Sequence, residues 1–536
     1  MRSKPVILVA LLLAAFLVNL DTTMVNVALP ALVRELHATT TQLQWVVDAY
    51  NLVFAALLLT FGSLSDRFGR KRMLLAGLVV FGAASLAGGF CTTPAQLIAA
   101  RAVMGLGAAM TFPATLSLIS NVFTERRERA RAIGLWGATA GVAIATGPIA
   151  GGWLLEHYSW AAIFIAMAPV AAAAAVFVAL VVPASKDPGA AAVDVPGLVL
   201  SSAAMALLVF TIIEAPAYGW SSGRSVAGFA GSAVLLAAFI VWERRAAHPM
   251  LEVRLFANMR FSAASGVVTV AFFTLFGFIF LITLYFQFVR GYSPLSTGVR
   301  LLPVAVSVGI GSVAGTQLAV RAGTKLIVTT GLVAMAAFYG WAAATISATL
   351  AYGIIAAQMV LYGLGLGLSS APATESIMGA IPRAKAGVGS AINDSTRLVG
   401  GTLGVAVIGS VYASVYASRL SAAMPEAGTA AAIARQSIGA AYAAAGQLAA
   451  LGHPALGQAL QHASTNAFLR GLTIGALVAG GVAAAGAVLA ALFLPAQPST
   501  STAYQAEPAG QAHDSQTRTR PSTTATGPRP EIGRPE

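Results

Sequence analysis

Charge is what this 536-residue chain has least of: 10% of residues are Asp, Glu, Lys or Arg, against 57% hydrophobic. So little charge cannot cover a water-soluble fold of this length. A single cysteine, Cys91, excludes an intrachain disulfide. The six histidines have no metal-ligand spacing, so no metal is expected. No G-x-x-x-x-G-K-[ST] phosphate loop occurs, and no polar stretch is long enough to form a separate nucleotide-binding domain. No Ser/His/Asp grouping suggests catalysis. The expectation is a protein that is not an enzyme and has no cofactor. The net charge of +13 would suggest nucleic acid in a soluble chain. Here it asks which side of a membrane carries it.

What the chain does have is apolar blocks of about 20 residues, the length that crosses a ~30 Å hydrocarbon layer as a helix. Mean hydropathy is +0.78. The expected fold class is an all-α polytopic membrane protein with fourteen transmembrane helices. The expected spans are 6–30, 42–64, 73–93, 95–120, 131–155, 160–183, 195–215, 225–242, 261–289, 295–319, 326–346, 350–378, 387–415 and 470–494. Arg2 and Lys4 precede an apolar run that reaches Pro30 without a cleavage site, so an uncleaved first span is expected. With the N-terminus inside, one set of gaps holds Arg67, Arg70, Lys71, Arg72, Arg126, Arg127, Arg129, Arg131, Lys186, Arg244, Arg245, Arg254, Arg260, Arg321, Lys325, Arg383 and Lys385. The other set holds only Arg34, Arg224, Arg290, Arg300, Arg419 and Arg435. This asymmetry predicts both termini in the cytoplasm.

A shift of 254 residues lays Leu64, Arg67, Gly69 and Lys71 on Leu318, Arg321, Gly323 and Lys325, and residues 130–132 on 384–386. One offset serving two loops implies an internal repeat. It predicts a six-helix bundle over 1–194, two additional helices over 195–245, and a second six-helix bundle over 246–494. An Ala-rich outer loop, 416–469, is expected to hold short surface helices. The tail, 495–536, is Thr-, Pro- and Arg-rich and is expected to be disordered in the cytoplasm. Parallel halves imply a transporter that rocks about a central site.

"GSLSDRFGRKR" (62–72) looks like the loop 2–3 signature of the major facilitator superfamily. "RAVMGLGAAMTFPA" (101–114) resembles its span 4 motif, and "ATGPIAGG" (145–152) the span 5 signature of its antiporters. "LDTTMVNVALP" (20–30) and "GVGSAINDSTRLVGGTLGVAVIGS" (387–410) are similar to spans 1 and 13 of the fourteen-helix drug:proton antiporters, the EmrB/QacA-type subfamily. Ala143 departs from the span 5 signature, which usually has Gly there. The resemblance implies the major facilitator fold, two six-helix bundles plus two extra central helices. It also implies a latch at the cytoplasmic ends of the halves, built from Gly62, Asp66, Arg67, Gly69 and Arg70. Span 5 is implied as a gate, through Gly147, Pro148, Gly151 and Gly152. Gly62 and Gly69 are expected where helices approach closely, as are the small-xxx-small pairs Gly137/Gly141 and Gly147/Gly151.

Ionisable residues inside spans are functional candidates because lipid makes them expensive. At 1.5 Å per residue, Asp21, Asp48 and Arg101 share a depth in the outer half of spans 1, 2 and 4. The resemblance places spans 1 and 4 at the cavity. Asp21 is then the candidate proton carrier and Arg101 its modulator; a permanent structural ion pair is the competing reading. Asp48 is either a cavity carboxylate or an interfacial group in water. Asp394 and Arg397, at i and i+3 on span 13, are cavity candidates that share a face and can neutralise each other. Glu214 and Glu375 are expected to snorkel at span ends, and Trp45, Trp153, Tyr158 and Trp160 to form interfacial belts. The expected function is proton-coupled export of hydrophobic, cationic drugs or toxic compounds. The expected partners are those substrates, protons and membrane lipid, with no nucleic acid. A monomer in a bacterial inner membrane is expected. A dedicated exporter of one natural product or siderophore, and a non-transporting membrane sensor, are the rival readings.

Overall fold

Every apolar block forms a helix, because a backbone without water must satisfy its own hydrogen bonds. The computed structural model describes residues 3–186, 194–247, 249–381, 386–424 and 432–495. Arg383, Lys385 and the tail from residue 496 lie outside the described residues. Fourteen helices among those described are long and apolar enough to cross a membrane.

The first bundle comprises α1 (Lys4–Leu36), α2 (Thr40–Phe68), α3 (Arg70–Gly88), α4 (Pro94–Val122), α5 (Arg126–His157) and α6 (Ala161–Val181). Two further helices follow, α7 (Val195–Tyr218) and α8 (Gly223–Arg245). The second bundle begins with α9 (Met259–Leu284), which ends in a π turn, Tyr285–Val289. The next crossing is broken into α10 (Pro294–Arg300) and α11 (Leu302–Ala322). Then come α12 (Thr324–Thr345), α13 (Tyr352–Gly379) and α14 (Ala386–Ala423), an extra helix α15 (Ile438–Ala450), and α16 (Pro454–Phe493). The end of the molecule bearing Arg67–Arg72 is called here the basic face, and the opposite end the far face.

Polar residues set the helix starts. Thr39 accepts the Gln42 amide at 3.2 Å while the Gln42 side chain accepts the Thr39 amide at 3.0 Å, a reciprocal cap on α2. Thr93 caps α4, and Ser222, Ser293 and Ser437 cap α8, α10 and α15.

The repeat has a backbone signature. Gly69 joins α2 to α3 at φ 112°, and Gly323 joins α11 to α12 at φ 90°. These are the two glycines that the 254-residue shift superposes. Each turns the chain where an L side chain would be strained. Gly69 is therefore present for its conformation rather than for close approach. Gly62 is not a close-approach site either: a Cβ there would meet only Pro113, at an ordinary 3.8 Å.

The outer loop departs from short surface helices. α14 runs eight residues beyond the expected end at 415, and α16 starts at Pro454 rather than 470. At 40 residues, α16 is about 60 Å long and stands well clear of the hydrocarbon layer. α15 is docked, not loose: Ile438 and Ala441 are fully buried.

Candidate functional site

The site begins with an ion pair in the first bundle. Arg101 Nη1 lies 2.5 Å from Asp21 Oδ2, and both side chains are sealed from solvent. Arg101 Nε donates to the Val46 carbonyl at 3.0 Å, and its guanidinium sits 4.3 Å above the Tyr50 ring. Tyr50 in turn donates its hydroxyl to Val18 O at 3.1 Å. The cation is thus fixed by α2 as well as by Asp21, whereas Asp21 Oδ1 has no partner among the described residues. Gly105 lets α4 approach this closely: a Cβ there would strike Tyr50 O at 2.5 Å.

Asp48 is not in interfacial water. It is fully buried, and neither carboxylate oxygen has a hydrogen-bond partner among the described residues. With Gln44 and Asn51 it forms an i, i+4, i+7 stripe, one face of α2. Gln44 donates to Val405 O at 3.2 Å, Ala406 O at 3.1 Å and Ser410 Oγ at 3.2 Å on α14. The stripe therefore lies in the seam between the two bundles. Asn51 and Thr402 of α14 are likewise buried without partners. The regular spacing of Gln44, Asp48 and Asn51 was readable in the sequence.

The other expected positions divide. Asp394 and Arg397 are loosely paired at 3.8 Å, and Arg397 also donates to Thr374 Oγ1 at 3.2 Å. They lie on the basic-face side of α14, away from Asp48. Glu375 is exposed. Glu214 and Trp45 do not simply meet the interface: Trp45 Nε1 donates to Glu214 at 3.3 Å, and its ring packs on Phe210, joining α2 to α7. Trp160 is buried rather than part of a belt, while Trp153 and Tyr158 are exposed as expected.

α5 divides into two regimes. In its far half, Cβ atoms on Gly147 and Gly151 would collide with Thr23 and Met24 of α1, and one on Gly152 with Leu295 Cα at 2.6 Å. A Cβ on Gly298 would collide with the Pro148 carbonyl. In its basic half, Gly134, Gly137 and Gly141 have nothing within 4 Å, so the expected close approach at Gly137/Gly141 is not made. The seam continues through Gln287 of the π turn, which donates to Val27 O at 2.9 Å. The bundles are closed toward the far face and parted along α5 toward the basic face.

The basic-loop cluster fits that state. Asp66 pairs with Arg70 at 2.7 Å. Arg70 also donates its amide to Ser185 O at 2.9 Å and its guanidinium to Ser185 Oγ at 3.2 Å. Arg67 lies over Phe68. All of these partners belong to the first bundle.

The family model described as Major Facilitator Superfamily matches residues 11–405. The chain is 35% identical over 415 residues to the "Multidrug efflux pump LfrA" of Mycolicibacterium smegmatis, covering 77% of this chain and 82% of that one. It is 34% identical over 408 residues to the "Tetracenomycin C resistance and export protein" of Streptomyces glaucescens, covering 76% of each. Among solved structures, a bacterial homologue of the human lysosomal transporter Spinster, crystallised facing inward and unoccupied, has a TM-score of 0.62 at 17% identity. It covers 91% of this chain and 98% of its own.

Proposed function

Because this chain belongs to the Major Facilitator Superfamily, we propose that it is a secondary transporter exporting hydrophobic, cationic drugs or toxic compounds in exchange for protons. The observation that carries the proton step is the buried Asp21–Arg101 pair with one carboxylate oxygen left open. Asp21 Oδ1 is where a proton lands. Protonation removes the charge attracting Arg101, which stays held by Val46 O and the Tyr50 ring. The pair loosens without the cation having to leave its seat. α1 is then less tightly bound to α4 just where Thr23 and Met24 grip α5. Proton loading thus reaches the helix that seals the far face. Drug and proton occupy the cleft in alternation, which makes the cycle an exchange.

The basic face is assigned to the cytoplasm, with both termini there, the protein a monomer and no cofactor needed. One proton moving down ~100 mV supplies about 2.3 kcal/mol, and one pH unit about 1.4 kcal/mol. For a neutral drug the two add, to a gradient on the order of 500-fold; for a singly charged cation the exchange moves no net charge, and the pH unit alone sustains about tenfold. A dedicated exporter of one natural product is the second reading, favoured by a relative whose name carries a single antibiotic.

The test is transport by purified protein in liposomes under an imposed pH gradient. Wild-type protein concentrates a cationic dye against its gradient. Asp21→Asn is expected to lose uphill accumulation by at least tenfold while retaining downhill exchange. Uphill accumulation that survives in Asp21→Asn removes Asp21 from the proton path.

A further inference from the structure

At the basic face, α8 ends in Trp242, Glu243, Arg244 and Arg245, and the chain returns as a short 3-10 helix, Val253–Ala257. Between them lies a cavity of about 450 Å³ lined by Arg244, Val253, Arg254, Phe256 and Ala257. Both arginines are exposed, and neither guanidinium is hydrogen-bonded or ion-paired among the described residues. Glu243, next to Arg244 in the chain, is not paired with either arginine among the described residues. Glu243 is turned inward, 4% exposed, and accepts the Leu251 amide at 3.2 Å. The remaining lining is apolar. The cavity therefore pairs two free cations with a hydrocarbon wall.

Its depth is fixed by the residues above it. α8 buries only a narrow stripe through Ser225, Ser232, Phe239 and Glu243 and is bare over the rest of its surface, with Val234, Leu236, Val241 and Trp242 exposed, as a helix facing lipid tails should be. Trp242 marks the interface and is held there by donating Nε1 to Asp194 Oδ1 at 2.7 Å. The next residue but one, Arg244, enters the cavity. The opening thus sits where lipid tails give way to headgroups.

We propose that this cavity binds an anionic phospholipid, its phosphate held between Arg244 and Arg254 and its tails following the bare surface of α8. Guanidinium forks match phosphate oxygens two at a time, and basic pockets at helix ends are suited to anionic headgroups. The shared chemistry is a phosphate oxyanion. The apolar wall and the depth favour a lipid over a soluble phosphate. The inference stands on the membrane-spanning fold alone and is independent of what is transported.

The experiment is native mass spectrometry of the detergent-purified full chain incubated with phosphatidylglycerol or with phosphatidylcholine of the same tails. Wild-type protein is expected to retain phosphatidylglycerol under activation that strips phosphatidylcholine. Arg244→Gln/Arg254→Gln should bind it about tenfold more weakly, and the single variant Arg254→Gln should show part of that loss. Arg127→Gln/Arg129→Gln, an equal charge loss elsewhere on the basic face, should bind as wild type. Three results would overturn the proposal: unchanged retention in the double variant, equal retention of phosphatidylcholine, or full displacement of the lipid by millimolar inorganic phosphate. The last would make the ligand a soluble anion. All variants are compared on the monodisperse fraction, so a folding defect does not masquerade as lost binding.

Discussion

Asp48 is the residue whose setting most changes what it can do. In the state described it touches no solvent and has no hydrogen-bond partner among the described residues, so a substrate reaches it only when α2 and α14 separate. Its effect on transport then belongs to the far-face-open state. Asp48→Asn keeps the shape and removes the charge. Export of quaternary ammonium compounds should fall on the order of tenfold, the factor that 1.4 kcal/mol represents. A neutral substrate of similar size should be spared. Paired dye-efflux assays check this, and equal losses for both would make Asp48 a structural residue. The sequence exposed Asp21, Asp48 and Arg101 at one depth because helical rise converts residue count into distance. It could not say that Arg101 leans on Tyr50, nor that Asp48 is sealed. Both depend on which helix lies opposite, and α14 is some 360 residues away along the chain.

Among the helices, α5 is the one whose packing changes along its length. Its glycines fall in one motif-rich stretch, yet only those from Gly147 onward are pressed against neighbours. Gly152→Leu would drive a branched side chain into Leu295 and Pro294. The far-face seam should then fail to close. Spin labels at Tyr158→Cys and Ser293→Cys on a Cys91→Ser background should report a separation larger by about 5 Å or more, roughly one helical turn of α5. An unchanged distance would show that the seam is held elsewhere, at Gln44 or Gln287. Helix identity was legible throughout, because long apolar blocks leave little choice. Helix ends in the outer loop were not. Residues 416–469 are dominated by alanine, which is helical wherever it is placed and has no face strong enough to say what it packs against. The sequence therefore hid the eight-residue extension of α14 and the docking of α15.

For the whole molecule, that docking matters most. Gln436, just ahead of α15, accepts both the amide and the hydroxyl of Thr40 at 3.0 and 3.1 Å. Gly439 of α15 is pressed between Val33 of α1 and Phe288, and α15 also shares a hydrogen bond, Tyr442 to Thr465, with α16. α15 is a strap across both bundles. The far face cannot open without releasing one end of it. Thr39→Cys and Gln436→Cys, joined by a short reducible bis-thiol reagent on the Cys91→Ser background, should stop export. Reduction should restore it. Continued export by the joined protein would mean that α15 travels with the first bundle and lets go of α16 instead.

With the basic face in the cytoplasm, as proposed, the strap is a part of the pump that a drug could reach without first being inside the cell. Agents that compete for the cleft are themselves cargo and are diluted by the machine they target. A compound gripping α15 against α1 from outside would arrest the cycle without entering the path that expels it. Resistance to such a compound would have to arise in the strap, where a change that loosens the grip also loosens the closed state.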